Sequence, residues 1–385
     1  MDFNLNDDQR AFADSARAVF ADHCGDDALR AHDEGSEPFM RELWAECVRN
    51  GLHGIVIAEA DGGLGQGVTD LMAVLEQQGR ALGLVPLAEH QLAAAAIGRF
   101  APALAAGLMA RLAAGESLAT LSLDGLHESR GLPLSARQDG DVLVLDGVAH
   151  AVPFASESEI SLLPVRLGDA TRLVAVNPRG AGLRLVEGRS QHHRAVADLC
   201  FGSARIPVHA LLEPAALAWL EPRLTAAIGA LQVGVSSGQL ARTVEYVSQR
   251  KQFGRVIGSF QLVAGQMADA LTALEALRSA LAQLVYRLDA GLGAEPQALT
   301  VKVLAAQAAH LIGHKAQHVH GGIGVDVTYP IHRYLYWSRA LAFTQGGAEQ
   351  ALERLGDWLA SNDRLGWKFD LPEDLGDTQG ASHAV

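Results

Sequence analysis

The sequence predicts an α+β multidomain chain: a helical N-terminal domain, a small central β-barrel or sandwich domain, and a C-terminal helical bundle. Three observations predict it. Apolar residues recur at helical spacing from residue 5 to about 118; short β-type runs broken by Gly, Pro and Asp fill about 119 to 215; the helical period returns after Pro222. A chain of 385 residues, 49% hydrophobic and 19% charged, can bury a large core and is too long for one ordinary domain. The boundaries expected are 1–118, 119–222 and 223–363, with a polar tail over 364–385.

The first helix is expected in NDDQRAFADSARAVFADHC, where Asn6 and Asp7 are capping candidates and Phe12, Ala16, Val19 and Phe20 share a face. Another, VTDLMAVLEQQGRALG, follows the Gly-rich turn at 62–67. The Ala-rich LAAAAIGRFAPALAAGLMARLAAG carries Arg99 and Arg111 within a window of about 20 residues, so it reads as soluble helix and not as a membrane span. Strands are expected in DVLVLDG, ISLLPVRL, TRLVAVNP and LRLVEG. Beyond Pro222, Met267, Leu271, Leu274, Leu277, Leu281, Leu284 and Leu288 step by three or four, the 299–319 stretch does likewise, and long helices joined by short loops make a bundle. The Gly-rich tail from about 364 is expected to be loosely held.

Composition removes several function classes. A net charge of −13 with no basic run argues against nucleic-acid binding, which needs Lys and Arg to neutralise phosphates. Cys24, Cys47 and Cys200 are isolated, as expected of buried thiols in a reducing cytoplasm. The N-terminus lacks the basic and apolar segments of a signal peptide. The pairs His318 with His320 and His192 with His193 have no Cys or carboxylate companions at metal spacing, so no metal is expected. GGLGQG at 62–67 and GGIGV at 321–325 look like dinucleotide fingerprints, but neither follows a strand and opens a helix in a βαβ unit.

Two stretches carry a sharper signal: QRKQFGRVIGSFQ at 249–261 and QHVHGGIGVDVTYPIHRYLYWSRA at 317–340. They resemble the R-x-x-F-G-x-x-I-x-x-F-Q and Q-x-x-G-G-x-G motifs of the acyl-CoA dehydrogenase family, and EADGGLG at 59–65 and ARIPVHALL at 204–212 extend the likeness. The resemblance implies that family's fold, with a C-terminal four-helix bundle, and an FAD cofactor. Its Arg, here Arg250, would reach the pyrophosphate of a flavin bound mainly by a neighbouring subunit, as suits a guanidinium. Phe253 would pack near the adenine half, and Gln261, Gln317, Gly321 and Gly322 would approach the dinucleotide. Taken singly, these residues could instead be a solvated helix end, ordinary core and a simple turn.

The family removes a proton α to a thioester carbonyl and passes hydride from the β carbon to the flavin, which calls for a positioned carboxylate. One usual base position, in a turn after an R-x-x-R-A segment, holds Gln345; the other, 26 residues before Arg250, holds Leu224. A carboxamide cannot accept the proton, although the backbone N–H at 345 could still hydrogen-bond a thioester oxygen. Glu221 is the displaced candidate, with a carboxylate at a helix start beside Pro222 as its plainer reading. Glu349 and Asp326 read as surface or capping residues. The loops that bind the flavin ring in relatives are replaced by LSLDGLHESRG at 121–131 and VAHAVPFASES at 148–158, where Ser122, Ser129 and Ser156 offer hydroxyls without the family's Pro-Gly-Ser geometry.

The chain is therefore similar to the subunit without a base in heteromeric α2β2 acyl-CoA dehydrogenases of bacteria, some of which act on steroid side-chain thioesters. The partners implied are an acyl-CoA substrate, a homologous catalytic chain and electron-transfer flavoprotein. The alternatives are a homotetrameric dehydrogenase with a displaced base, and a non-catalytic thioester- or partner-binding protein.

Overall fold

Asn6 opens the helical region by accepting the Gln9 N–H while Gln9 returns a bond to the Asn6 backbone, a reciprocal cap that stops fraying at the N-terminus. The computed structural model describes residues 4–362, so the expected tail from 364 lies outside the described residues. Helices α1 (Asp7–His23), α2 (Asp26–Glu34), α3 (Arg41–Arg49), α4 (Val68–Ala81) and α5 (Leu87–Phe100) lead to two short ones, α6 (Pro102–Ala105) and α7 (Met109–Ala113). The Ala-rich stretch is thus broken, because Pro102 cannot donate and forces Ala101 out of helical geometry (φ −144°, ψ 62°).

The β region contains β1 (Ala119–Leu121), β2 (Ser135–Asp139), β3 (Val142–Pro153), β4 (Ile160–Leu167), β5 (Ala170–Val176), β6 (Leu183–Arg189) and β7 (Ala195–Pro207). All four strands expected from sequence form; β1, β2 and the long β7 were not expected. They build one seven-stranded sheet in the order β1-β4-β2-β3-β7-β6, with β5 on β4. Register shifts between Leu145 and Gly147 and between Ala149 and Val152 curl β3 against β7. The curled sheet closes on its own core of Leu143, Leu145, Val152, Leu163, Val165 and Leu199.

The C-terminal region holds α8 (Ala216–Gln249), the hairpin β8 (Lys251–Gln252) and β9 (Arg255–Val256), α9 (Gln261–Asp289), α10 (Glu295–His320), α11 (Ile331–Phe343) and α12 (Ala348–Ser361). Helix α8 begins at Ala216 and runs through Pro222, where the sequence reading placed a helix start. Pro222 removes one helical donor, but Leu220 and Leu224 on either side are buried and hold the turn in place. The helices before and after the sheet share one apolar core, from Phe20, Leu43 and Leu75 to Leu224, Leu284 and Ile331. Among the described residues no helix is long and apolar enough to cross a membrane.

Helices α4 and α8 cross closely in that core. A Cβ on Gly234 would overlap the carbonyl oxygen of Glu76, and one on Gly79 would overlap that of Leu231, so both helices need a bare backbone there. Gly234→Ala is expected to lower unfolding free energy by about 1–3 kcal/mol in urea denaturation, as overpacking does, whereas Gly356→Ala, in open space on α12, leaves it unchanged or raised.

Candidate functional site

The outward half of the site is a hairpin and two helix ends. Arg250 leaves α8 in extended geometry (φ −65°, ψ 123°), and the two-residue turn of β8–β9 is made by Phe253 and Gly254 with φ of 54° and 80°. That turn throws the Phe253 ring out, 92% exposed and edge-on to Phe260 with centroids 6.2 Å apart, while Arg255 lies over the Phe260 ring. Gln261, exposed, is the first residue of α9. At the far end of α10, Gly321 (φ 63°) and Gly322 are exposed, with nothing within 4 Å of where a side chain would begin.

Both stretches lie at one end of the bundle: the Tyr246 ring near the end of α8 stacks on His320 at 4.3 Å, and His318 Nδ1 is 3.2 Å from Gln266 Oε1 on α9. Gln317 departs from expectation. Its carboxamide is buried without a partner, its oxygen lying against Gly324, and it stands one residue further from Gly321 than Q-x-x-G-G allows. His318 holds that spacing and is exposed, so spacing alone could have found it. Phe253, Leu262, Val325 and Val327 give this end an exposed apolar surface suited to another chain.

The inward half is built around Gln345. Helix α11 ends at Phe343, and Gln345 and Gly346 turn the chain with φ of 59° and 79°. Lys302, buried on α10, donates to the carbonyls of Leu341 (3.3 Å), Ala342 (2.9 Å) and Thr344 (2.5 Å), which are acceptors that α11 cannot satisfy itself. Burial pushes the Lys302 ammonium down to about 8, and the negative end of α11 favours its charge. The Gln345 side chain is 5% exposed; its Oε1 accepts from Thr225 Oγ1 at 3.0 Å, and its Nε2 has no partner. The N–H of Gln345, expected to be free for a thioester oxygen, donates to Asp124 Oδ1 at 2.6 Å.

Neighbouring residues part to two spaces. Thr225 and Gln345 line a cavity of about 320 Å³ together with His127, Glu221, Lys302 and Arg354. Leu224 and Thr344 line a cleft of about 30 Å³ with Ser122, Asp124, Glu89 and Arg194. Of the two usual base positions, Gln345 therefore lines the larger cavity and Leu224 borders the small space, which has room for about two waters. Glu89 and Arg194, each mostly buried, pair at 3.2 Å across it. Burial raises the Glu89 carboxyl, and Arg194 opposes that.

Glu221 lies elsewhere. It sits within α8, not at a helix start, faces the larger cavity and accepts from Arg354 at 2.7 Å. Glu349 is exposed in the first turn of α12, and Asp326 is exposed and caps Thr328. Ser122 is buried at the cleft, Ser129 is exposed, and the Ser156 carbonyl accepts from Arg179. Among the described residues no group of three or more His, Cys, Asp or Glu could hold a metal. His192 instead packs edge-on to Trp337.

The sequence profile for the acyl-CoA dehydrogenase N-terminal domain matches residues 6–116, and that for the C-terminal domain matches 223–360. Acyl-CoA dehydrogenase FadE27 of Mycobacterium tuberculosis is 31% identical over 371 residues, covering 94% of this chain and 99% of the relative. Among solved structures, the ChsE4-ChsE5 complex from Mycobacterium tuberculosis contains a chain 30% identical, covering 94% of this chain and 100% of that one, with a TM-score of 0.89. A variant of the Tcur3481-Tcur3483 steroid ACAD is 34% identical, covers 93% of this chain and 99% of its own, and has a TM-score of 0.87.

The turn that carries Gln345 hangs on Lys302. Lys302→Met keeps the stem and removes all three bonds, leaving buried carbonyls unsatisfied. A loss of roughly 2–4 kcal/mol in unfolding free energy is expected, with the backbone amides of 344–346 exchanging hydrogen faster than in the unaltered chain.

Proposed function

The chain belongs to the acyl-CoA dehydrogenase family, and from that premise we propose that it is one subunit of a heteromeric dehydrogenase, lending flavin contacts to a homologous catalytic chain. One observation carries this reading: Leu224 and Gln345 stand at the two usual base positions, and neither side chain can accept the α proton. FAD, when bound at an interface with the unlike chain, supplies the hydride acceptor. Arg250 would neutralise its pyrophosphate, Phe253 would pack beside the adenine half, and Gln261, His318, Gly321 and Gly322 would line the dinucleotide. The open space at both glycines and the solvent-facing Arg250 and Phe253 suit a ligand that arrives on another chain. The residues around the cleft do not suit a flavin ring held by this chain itself.

Two similar chains come from structures of paired gene products, and one of these is named a steroid ACAD, which supports an α2β2 assembly acting on a bulky thioester such as a steroid side-chain acyl-CoA. Electron-transfer flavoprotein would reoxidise the flavin. A homotetramer using Glu221 fits less well, because that carboxylate is bound to Arg354 on the far side of Gln345. The larger cavity favours one other reading, a non-catalytic thioester-binding protein. Burial lowers the His127 pKa and its Nε2 is unpartnered, as is Gln345 Nε2, so a neutral amide could bond to both.

Flavin content decides. Visible absorbance per chain is expected to show no flavin for this protein alone and one flavin per pair of unlike chains after co-expression; one flavin per chain in the isolated protein would reject the reading. In the assembled pair, Arg250→Gln is expected to weaken flavin retention roughly tenfold to a hundredfold, the worth of a charge-assisted bond, without disturbing assembly measured by light scattering.

A further inference from the structure

We infer that Asp124 is a built-in occupant of this chain's own substrate cleft, a carboxylate that holds the donor a thioester oxygen would need. The inference rests on the reading of this chain as the subunit that does not turn over substrate. It adds a reason that the missing base does not supply.

Three features of the cleft converge. The left-handed turn at Gln345 and Gly346 aims the 345 N–H away from α11, and Asp124 Oδ1 takes it at 2.6 Å. Asp124 comes from the turn directly after β1, the segment that replaces the ring-binding loop of relatives, and its N–H lies 3.4 Å from Ser122 Oγ. The third is charge. Lys302 lies close enough for the Asp124 carboxylate to favour its ammonium, so Asp124 faces both a donor and a cation.

A carbonyl oxygen and a carboxylate oxygen compete for that N–H on unequal terms. The bond to an ionised acceptor is the stronger of the two, and displacing Asp124 would strand a charge in a space of about 30 Å³. The Glu89–Arg194 pair closes the same cleft from the side of α5, so a ligand that reached past Asp124 would meet a second buried ion pair. Together these contacts make the site filled, not merely inactive.

The test uses the full chain and a 3-thiaoctanoyl-CoA probe, which this family's oxidation chemistry does not consume, titrated by calorimetry. Asp124→Gly removes the occupant and is expected to tighten probe binding by at least about tenfold over the unaltered chain, the margin between charge-assisted and neutral bonds. Asp124→Asn keeps the shape and removes the charge, so its affinity is expected to fall between the two, which guards against a fold defect in the glycine variant. Equal affinity across all three proteins would overturn the inference, as would binding by the unaltered chain as tight as by Asp124→Gly. Flavin content per chain, measured on the same samples, reports separately on the subunit reading.

Discussion

A single buried ammonium fixes the geometry on which the site depends. Lys302 satisfies three carbonyls at the end of α11, and with them capped the chain can leave the helix abruptly, through two left-handed residues. Gln345 is one of those residues, in a region that non-glycine side chains enter at a cost of about 1–2 kcal/mol. Thr225 on its side chain and Asp124 on its backbone hold it there.

From that turn follows the division of the interior. Successive residues of a helix point about 100° apart, so Leu224 and Thr225 of α8 face different spaces; past the end of α11, Thr344 and Gln345 divide between the same two spaces. The polar pair Thr225 and Gln345 meets the larger cavity, with His127 and the Glu221–Arg354 pair. The apolar Leu224 meets the small cleft, which Glu89, Asp124 and Arg194 also line. A carboxylate at 345 would be drawn toward Lys302 and repelled by Asp124; the neutral carboxamide has no such conflict, and its oxygen accepts a hydrogen bond from Thr225 Oγ1.

The outward end is the physical opposite. There the turn at Phe253 and Gly254 exposes an aromatic ring that a lone chain has no reason to expose, and the α10 terminus ends in two bare glycines. Stacking of Tyr246 on His320 and the His318–Gln266 contact hold both segments in register and leave Arg250, Phe253, Gly321 and Gly322 exposed. Exposed apolar groups of this kind suit contact with another chain.

Much of this was legible in the residues. Helical and β periods gave the order of regions and four of the seven strands of the main sheet, since period follows directly from which face is buried. The motif around Arg250 located the outward end, and the absence of a carboxylate at 345 and 224 was plain from residue type. Glu221 and Gln317 were misplaced, because direction depends on where a helix begins and which way a side chain turns, and Pro222 and the Gln317 spacing misled on both. Asp124, Lys302, Glu89 and Arg194 carried no local signal beyond a lone Lys on an apolar helix stripe. They lie 221, 43, 256 and 151 residues from Gln345 along the chain. Residue type and period determined that no carboxylate stands at 224 or 345 and where the exposed motif residues fall. Only the tertiary structure decided that Asp124 takes the Gln345 N–H, because a bond between residues so distant in sequence exists only once packing has brought them together.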